Sequence, residues 1–241
     1  MAKISDFGLL CFDVYGTLID WNTGLLKAFQ PVLDANKSDV TPQKVLDLFN
    51  EIEHEQQVRT PDMRYDQLLA TVHAQVAERL GFPAPSDEQN TAFGASIGSW
   101  PAFPDTADAL RRLGKHYKLV VLSNVDRESF AASNSGPMEG VKFDLILTAQ
   151  DIGSYKPDLR NFEYMLREAE GKLGISKERV LVTAQSQFHD HHPAKKLGLK
   201  SVWIERSGGL VENKAKEMHD WKFDTLGQMA DALEEELKGS S

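Results

Sequence analysis

Five short apolar runs, each ending at polar residues, constrain the fold of this 241-residue chain more than any other feature. They span residues 9–14, 118–124, 143–150, 180–186 and 201–206. Helical patterns separate the later runs from one another. Near-continuous apolar runs are typical of parallel strands that helices cover on both faces. The alternation therefore predicts an α/β fold with a doubly wound, Rossmann-like parallel sheet.

One long segment breaks this alternation. Between about residues 23 and 99, apolar residues recur at three- and four-residue spacing, and no convincing strand interrupts them. This periodicity predicts amphipathic helices. Two prolines in the stretch WPAFPDT, residues 100–106, mark the return to the sheet. The sequence thus predicts an α/β core domain of residues 1–22 and 100–241, and an inserted helical domain of residues 23–99.

Composition and charge argue against several classes of function. The formal net charge of -9, without a cluster of lysine or arginine, argues against a nucleic-acid partner. No apolar run approaches the length that spans a bilayer, and the first residues form a poor signal peptide. The single cysteine, Cys11, lies in an apolar run and is expected to be a core residue in a reducing compartment. We therefore expect a cytoplasmic protein, a monomer or a homodimer, that has no nucleic-acid partner and no membrane partner.

Polar side chains follow four of the predicted strands, at the point where each strand ends. They are Asp13, Ser123 with Asn124, Lys156 and Asp190. The carboxyl ends of parallel strands share one edge of the sheet, and ligands of open α/β sheets bind at that edge. Any one of these residues alone is a common turn or cap residue. Together, and in this order, they predict an active site.

The same residues stand in motifs that resemble those of the haloacid dehalogenase superfamily, and the resemblance covers nearly the whole chain. DVYGTL, residues 13–18, resembles the first motif, with Asp13 as the nucleophile and Thr17 as a supporting hydroxyl. LSN at 122–124 is similar to the second motif and YKPD at 155–158 to the third, and Asp190 falls where the acid of the fourth belongs. The helical insert corresponds to the family's cap domain. The resemblance implies a hydrolase of a small anionic molecule, which forms an ester on an aspartate and cleaves it with water.

The chemistry of such a hydrolase explains the residue types. Gly16 lets the backbone turn sharply beside Asp13. Lys156 is expected to pair with Asp13, which keeps that carboxylate ionised and oriented. The candidate catalytic residues are Asp13, Thr17, Ser123, Asn124, Lys156 and Asp190. The candidate substrate-binding residues are Tyr15, Trp21, Asn22, Gln185, Gln187 and His189.

Tyr15 separates two branches of the family. Phosphatases that resemble this fold carry a second aspartate at this position, which protonates the leaving oxygen, whereas L-2-haloacid dehalogenases carry a tyrosine. Loss of general-acid help costs a phosphatase roughly 10²–10⁴ in rate. The sequence therefore predicts a dehalogenase-type hydrolase of small carboxylic acids, without a metal or other cofactor. The alternative is a Mg²⁺-dependent phosphatase of a small metabolite, with Mg²⁺ held by Asp13, the Tyr15 backbone and Asp190.

Three departures from the family's dehalogenases concern the substrate more than the reaction. Those enzymes carry an arginine near the first helix of the cap, a tyrosine six residues after the motif lysine, and a Ser-Ser-Asn run near the fourth motif. Here the cap stretch DLFNEIEHEQQ, residues 47–57, has no arginine, and Phe162 replaces the tyrosine. Gln185, Ser186 and Gln187 stand in the place of the run. A family member without catalysis is a third hypothesis, against which the intact Asp13 and Lys156 argue.

The stretch FHDHH, residues 188–192, invites a different interpretation, a site for a transition metal. Adjacent residues in a turn rarely point in one direction, and a structural zinc site needs four convergent ligands. We therefore expect His189 to lie near the site as a proton carrier or a partner of Asp190.

Overall fold

The computed structural model describes residues 2–206 and 216–239. Within these ranges six strands form one parallel sheet. The strands are β1 (Leu9–Phe12), β2 (Lys118–Ser123), β3 (Leu145–Thr148), β4 (Val180–Ala184), β5 (Lys200–Ile204) and β6 (Trp221–Phe223). Their order across the sheet is β3-β2-β1-β4-β5-β6, so β1 and β4 lie at its centre. The predicted doubly wound α/β fold is confirmed.

Helices connect these strands. Five of them lie between β1 and β2, and the first four form the helical insert: α1 (Trp21–Ala35), α2 (Pro42–Arg59), α3 (Tyr65–Arg79) and α4 (Asp87–Ala95). The fifth is α5 (Thr106–Leu113). The helices after β2 are α6 (Arg127–Ser135), α7 (Ala149–Ile152), α8 (Leu159–Leu173), α9 (His192–Lys196) and α10 (Leu226–Lys238). In the described part of the chain, no helix is both long and apolar enough to cross a membrane.

Both faces of the central strand are buried, as the continuous apolar runs predict. Leu10 and Phe12 belong to one hydrophobic cluster, whereas Leu9 and Cys11 belong to a second cluster with Phe162 of α8. Side chains of successive residues in a strand point to opposite faces, so each cluster covers one side of the sheet. Cys11 is a buried core residue, and burial raises the pKa of its thiol to about 12.

The helices α1 to α4 pack around an aromatic cluster of their own. The ring of Phe49 in α2 lies 5.3 Å from those of both Phe29 in α1 and Phe93 in α4. His73 of α3 stacks on Phe93 with ring centroids 4.5 Å apart. The aromatic stripes of this segment therefore contact each other, as in ordinary helix packing. The exact boundaries of the two domains stay a prediction.

The helical insert also contacts the edge of the sheet at which the strands end. The hydroxyl of Tyr155, in the loop after β3, donates a hydrogen bond of 2.5 Å to the carbonyl of Met63, between α2 and α3. The ring of His54 in α2 lies 5.4 Å from that of Phe188, which follows β4. These contacts hold α2 and the loop after it beside the carboxyl ends of the strands.

Candidate active site

The turn after β1 presents Asp13 at the centre of the sheet edge. The Asp13 amide still donates to the carbonyl of Thr183 in β4, at 3.2 Å, so the residue is fixed at the end of the strand. Gly16 has a φ angle of 93°, in the region that favours glycine. A Cβ there would approach no atom closer than 3.6 Å, so the backbone angle and not crowding accounts for this glycine.

Lys156 lies between two carboxylates. Its Nζ donates to Oδ1 of Asp13 at 2.9 Å and to Oδ1 of Asp190 at 2.7 Å. Oδ2 of Asp13 accepts a hydrogen bond of 2.6 Å from the Thr17 hydroxyl, which in turn accepts from the Gln185 amide at 2.9 Å. Side chains that follow β1, β3 and β4 thus meet at one point, in agreement with the geometry expected of a parallel sheet.

Burial and the neighbouring charges together set the pKa values in this cluster. Burial by itself lowers the pKa of Lys156, but the carboxylates of Asp13 and Asp190 outweigh it and raise the pKa above the usual value for lysine. Burial raises the pKa of Asp190, the ammonium of Lys156 lowers it, and the charge of Asp13 raises it further, with a net increase. Lys156 is therefore a fixed cation, and the protonation of Asp190 depends on the charge of Asp13.

One oxygen of this cluster has no protein partner. Oδ2 of Asp190 is buried, and no described residue donates a hydrogen bond to it. Buried polar atoms in proteins nearly always have a hydrogen-bond partner, either protein or water. This oxygen is therefore a place where a water molecule or a ligand would bind.

Asn124 holds the backbone that carries Lys156. Its Oδ1 accepts a hydrogen bond of 2.6 Å from the Lys156 amide, and its Nδ2 donates to the Lys156 carbonyl at 3.0 Å. Asn124 thus fixes the position of the lysine through the main chain. Ser123, the last residue of β2, is buried and lines the same pocket.

A pocket of about 110 Å³ lies in front of Asp13. The candidate residues that line it are Asp13, Tyr15, Trp21, Asn22, Ser123, Asn124, Lys156, Gln185, His189 and Asp190. Other described residues complete its wall: Gly16, Asp20, Asn50, Glu53, His54, Gln57, Tyr65, Phe103, Ser186 and Arg206. Half of these other residues belong to α2 and α3. No motif in the sequence specifies which face of these helices turns toward the pocket.

Two candidate residues lie outside the pocket wall. Thr17 is fully buried behind Asp13 and reaches the site only through its hydrogen bond to that carboxylate. Gln187, predicted to bind substrate, does not line the pocket; its Oε1 accepts from the Met218 amide at 2.9 Å. Gln187 begins a π-helical turn, residues 187–191, in which neighbouring side chains point in different directions. Its role in binding substrate stays a prediction.

Aromatic rings close one side of the site. The Tyr15 hydroxyl shares a hydrogen bond of 2.8 Å with the Ser133 hydroxyl, and burial raises the pKa of Tyr15 above its usual value. Its ring lies edge-on to Trp100, with centroids 6.4 Å apart, and Trp100 packs in the same way against Trp21. Tyr15 therefore supplies a neutral wall, and not an acid, two residues after Asp13.

The histidines after β4 contact separate partners. Nδ1 of His189 lies 3.2 Å from the Ser186 hydroxyl, whereas His191 contacts Ser201 and His192 contacts the carbonyl of Lys216. Among residues 2–206 and 216–239, no three His, Cys, Asp or Glu side chains converge on a metal-sized site. Burial, with a smaller effect of the Lys156 charge, lowers the pKa of His189 to about 4. This imidazole is therefore neutral at pH 7.

His191 gives the fold a pH-dependent stability. It is fully buried, its Nε2 donates to the Ala184 carbonyl at 3.0 Å, and burial lowers its pKa to about 4. In the unfolded chain this ring binds a proton below about pH 6.5. In the folded chain it binds one only below about pH 4. The contribution to the free energy of unfolding is therefore complete above pH 6.5 and falls by about 3 kcal/mol as the pH drops to 4. Urea titrations at several pH values measure the free energy of unfolding. Between about pH 6.5 and 4 this free energy should fall less for His191→Gln than for the wild type, whereas the exposed control His116→Gln should follow the wild type.

Comparison with known proteins places this geometry in a family. Residues 10–204 match the family described as haloacid dehalogenase-like hydrolase. The chain is 27% identical to an (S)-2-haloacid dehalogenase of Pseudomonas sp. (strain YL) over 236 residues, which cover 93% of this chain and 94% of that protein. It is 28% identical to a glyceraldehyde 3-phosphate phosphatase of Methanocaldococcus jannaschii over 91 residues, which cover 38% of each protein.

The similarity extends to solved structures. The L-2-haloacid dehalogenase of Xanthobacter autotrophicus superimposes with a TM-score of 0.79 at 17% sequence identity. The superposition covers 95% of this chain and 98% of that one. At this level of identity the comparison concerns the fold, which the two proteins share over almost their entire lengths.

Proposed function

Because the chain belongs to the haloacid dehalogenase-like hydrolase family, we propose that it hydrolyses the carbon-halogen bond of a small 2-halocarboxylic acid, with Asp13 as the nucleophile. The observation that carries this proposal is the position of Lys156, buried between Asp13 and Asp190, together with Tyr15 in place of an acid two residues after Asp13. The (S)-2-haloacid dehalogenase similar to this chain over 93% of its length supports the substrate class.

In the first step a carboxylate oxygen of Asp13 attacks the carbon that bears the halogen. A carbon-oxygen bond forms, and the halide leaves with the electron pair of the carbon-halogen bond. A halide needs no proton to leave, so the neutral Tyr15 is sufficient at this position. Lys156 and Thr17 hold the two oxygens of Asp13 in place, which orients the nucleophile before the substrate arrives.

In the second step water cleaves the ester at the carboxyl carbon of Asp13. Oδ2 of Asp190, which no described residue contacts by a hydrogen bond, takes the proton from that water. The same proton then goes to the departing alkoxide, and the second proton of the water leaves the carboxyl group of Asp13 for the solvent. The products are therefore a 2-hydroxy acid, one proton and the regenerated carboxylate of Asp13. Lys156 stabilises negative charge throughout, since it stays bonded to Asp190 after Asp13 becomes neutral.

The residues present are a poor match for Mg²⁺. Of the four carboxylate oxygens of Asp13 and Asp190, three already accept hydrogen bonds from Lys156 or Thr17. Mg²⁺ requires near-octahedral oxygen ligands, and here the neighbouring side chains at positions 185 and 186 are an amide and a hydroxyl. We therefore propose a reaction without a metal or other cofactor.

A direct comparison of two activities tests this proposal. We expect chloride release from 2-chloropropionate at a rate that EDTA does not change, because no step passes through a metal. Phosphate release from p-nitrophenyl phosphate, measured beside it with and without Mg²⁺, should stay at the uncatalysed rate. Mg²⁺-dependent phosphate release would instead support the second candidate, a small-metabolite phosphatase, which the partial similarity to the Methanocaldococcus jannaschii phosphatase favours. If the protein releases neither chloride nor phosphate, the result would indicate a binding protein without catalysis.

A further inference from the structure

Two long basic side chains line the pocket, Lys156 and Arg206, and both belong to the α/β core. The helical insert contributes no lysine or arginine to the described pocket wall. Nζ of Lys156 already donates to the carboxylates of Asp13 and Asp190. Arg206, which follows β5, is therefore the lining cation to examine as a partner for an anionic ligand.

The Arg206 side chain is buried and held in one orientation. It is only 5% exposed, its Nε donates to the Thr17 carbonyl at 3.0 Å, and its Nη1 donates to Oδ1 of Asp105 at 2.6 Å. The guanidinium also lies over the ring of Phe103, 4.0 Å from the centroid. Nη2 is buried, and no described residue accepts a hydrogen bond from it. Because a guanidinium nitrogen can only donate, this atom needs an acceptor that the described residues do not supply.

A second buried donor without a described acceptor lies close to Arg206. Gln185 lines the same pocket and is only 6% exposed, and no described residue accepts a hydrogen bond from its Nε2. Its backbone amide donates to the Thr17 hydroxyl at 2.9 Å, and Arg206 donates to the carbonyl of the same threonine. The Thr17 hydroxyl in turn donates to Asp13. The two donors therefore belong to one small region beside the carboxylate of Asp13.

The charges of this region favour an anion as the missing acceptor. Burial lowers the pKa of Arg206, the hydrogen bond to Asp105 opposes the decrease, and the guanidinium stays charged at neutral pH. Asp105 engages one terminal nitrogen of that guanidinium and leaves the other. Asp20, an acid of the same pocket wall, directs both of its oxygens to Thr23. An anionic oxygen at Nη2 would form a charge-assisted hydrogen bond, which is stronger than one to a neutral acceptor.

We propose that Arg206 and Gln185 form an anion-binding subsite that holds the carboxylate of the substrate, so that Arg206 determines specificity. One carboxylate oxygen accepts from Nη2 of Arg206 and the other from Nε2 of Gln185. The identity of the substrate as a 2-halo acid rests on the proposed function, whereas the subsite rests only on the two buried donors. Such a site rejects an analogue without the carboxylate, because the buried donors then stay unpaired.

Binding of the products tests the subsite without turnover. 2-Hydroxypropionate and 2-hydroxypropionamide differ only at the carboxylate, where the amide replaces one acceptor oxygen with a donor. Calorimetry at pH 7.5 should show that the wild type binds the carboxylate more tightly, by about tenfold or more. Arg206→Lys and Gln185→Met should each lose most of this preference. The controls Arg111→Lys and Gln67→Met change exposed residues outside the pocket and should keep it.

Gln185→Met keeps the test decisive if Arg206→Lys is unstable. Lysine cannot make both the bond to Thr17 and the bond to Asp105, whereas Nε2 of Gln185 has no described partner to lose. The melting temperature of each variant checks its fold. In the active enzyme Gln185→Met should raise KM for 2-chloropropionate by about tenfold and change kcat less, because the carboxylate is bound in the same way before and during the reaction.

The outcomes separate this inference from the proposed reaction. If no 2-chloro acid is hydrolysed but the wild type shows the preference and the variants lose it, the proposed reaction fails and the subsite stands. Equal affinity of the wild type for the two products, or a preference that either folded variant retains, would overturn the subsite. Weaker inhibition by chloride in the variants, with unchanged affinity for 2-hydroxypropionate, would mean that these donors bind the halide, and the assignment to the carboxylate would be wrong.

Discussion

An Asp13→Asn variant is expected to lose turnover by roughly 10⁴–10⁶-fold, the effect of removing a covalent nucleophile. An amide cannot form the ester that the reaction requires, and no other carboxylate occupies the same position at the end of β1. The fold should survive, because an asparagine Oδ1 can still accept the hydrogen bond from Lys156, and Asp190 continues to pair with that ammonium. The matched control is Asp34→Asn in α1, an exposed acid outside the pocket, which should retain full activity.

Isotope labelling identifies the attacking atom in the active enzyme. In a single turnover in ¹⁸O water, hydrolysis of the ester at its carboxyl carbon transfers one labelled oxygen to Asp13, which mass spectrometry of the peptide detects. The 2-hydroxy acid product of that first turnover then carries an unlabelled oxygen. A labelled product together with an unlabelled Asp13 would mean that water attacks the substrate directly, and the assignment of Asp13 would be wrong.

The sequence predicted the centre of the fold well because burial leaves a clear pattern there. β1 and β4 are covered on both faces, so every position in them is apolar or small. Strand β6 was not predicted. Only three of its residues pair with β5 at the edge of the sheet, and a lysine stands between two aromatic residues. Edge strands that are half exposed have no continuous apolar run to reveal them.

The core part of the candidate site could be predicted for a related reason. Parallel strands deliver their carboxyl ends to one edge, so the order of Asp13, Lys156 and Asp190 along the chain is enough to bring them together. The insert's contribution could not be predicted in this way. The periodicity of α2 shows which residues share a face, but not that the face with Glu53 and His54 turns toward the pocket. That orientation depends on contacts distant in sequence, such as the one between His54 and Phe188.

An Asp190→Asn variant is expected to complete the first step and stop at the ester. In the free enzyme burial raises the pKa of Asp190, the ammonium of Lys156 lowers it, and the charge of Asp13 raises it further. Esterification removes that charge, so the pKa of Asp190 falls and its ionised form becomes the base that activates water. Asparagine at this position still accepts from Lys156 through its Oδ1 but takes no proton, so hydrolysis of the ester loses its base.

The trapped ester gives the sharpest test of these roles. Chloride release by Asp190→Asn should stop after about one equivalent per enzyme, and the intact protein should gain the mass of the substrate's carboxyalkyl group, bound as an ester on Asp13. In the wild type the same second step should slow as the pH falls, because protonated Asp190 cannot accept a proton, while the halide burst persists to lower pH. The exposed control Asp108→Asn should turn over continuously without mass change. If Asp190→Asn instead shows no chloride burst and leaves Asp13 unmodified, Asp190 acts before or during ester formation, as a positioning partner of Lys156. The assignment of Asp190 as the base of the second step would then be wrong.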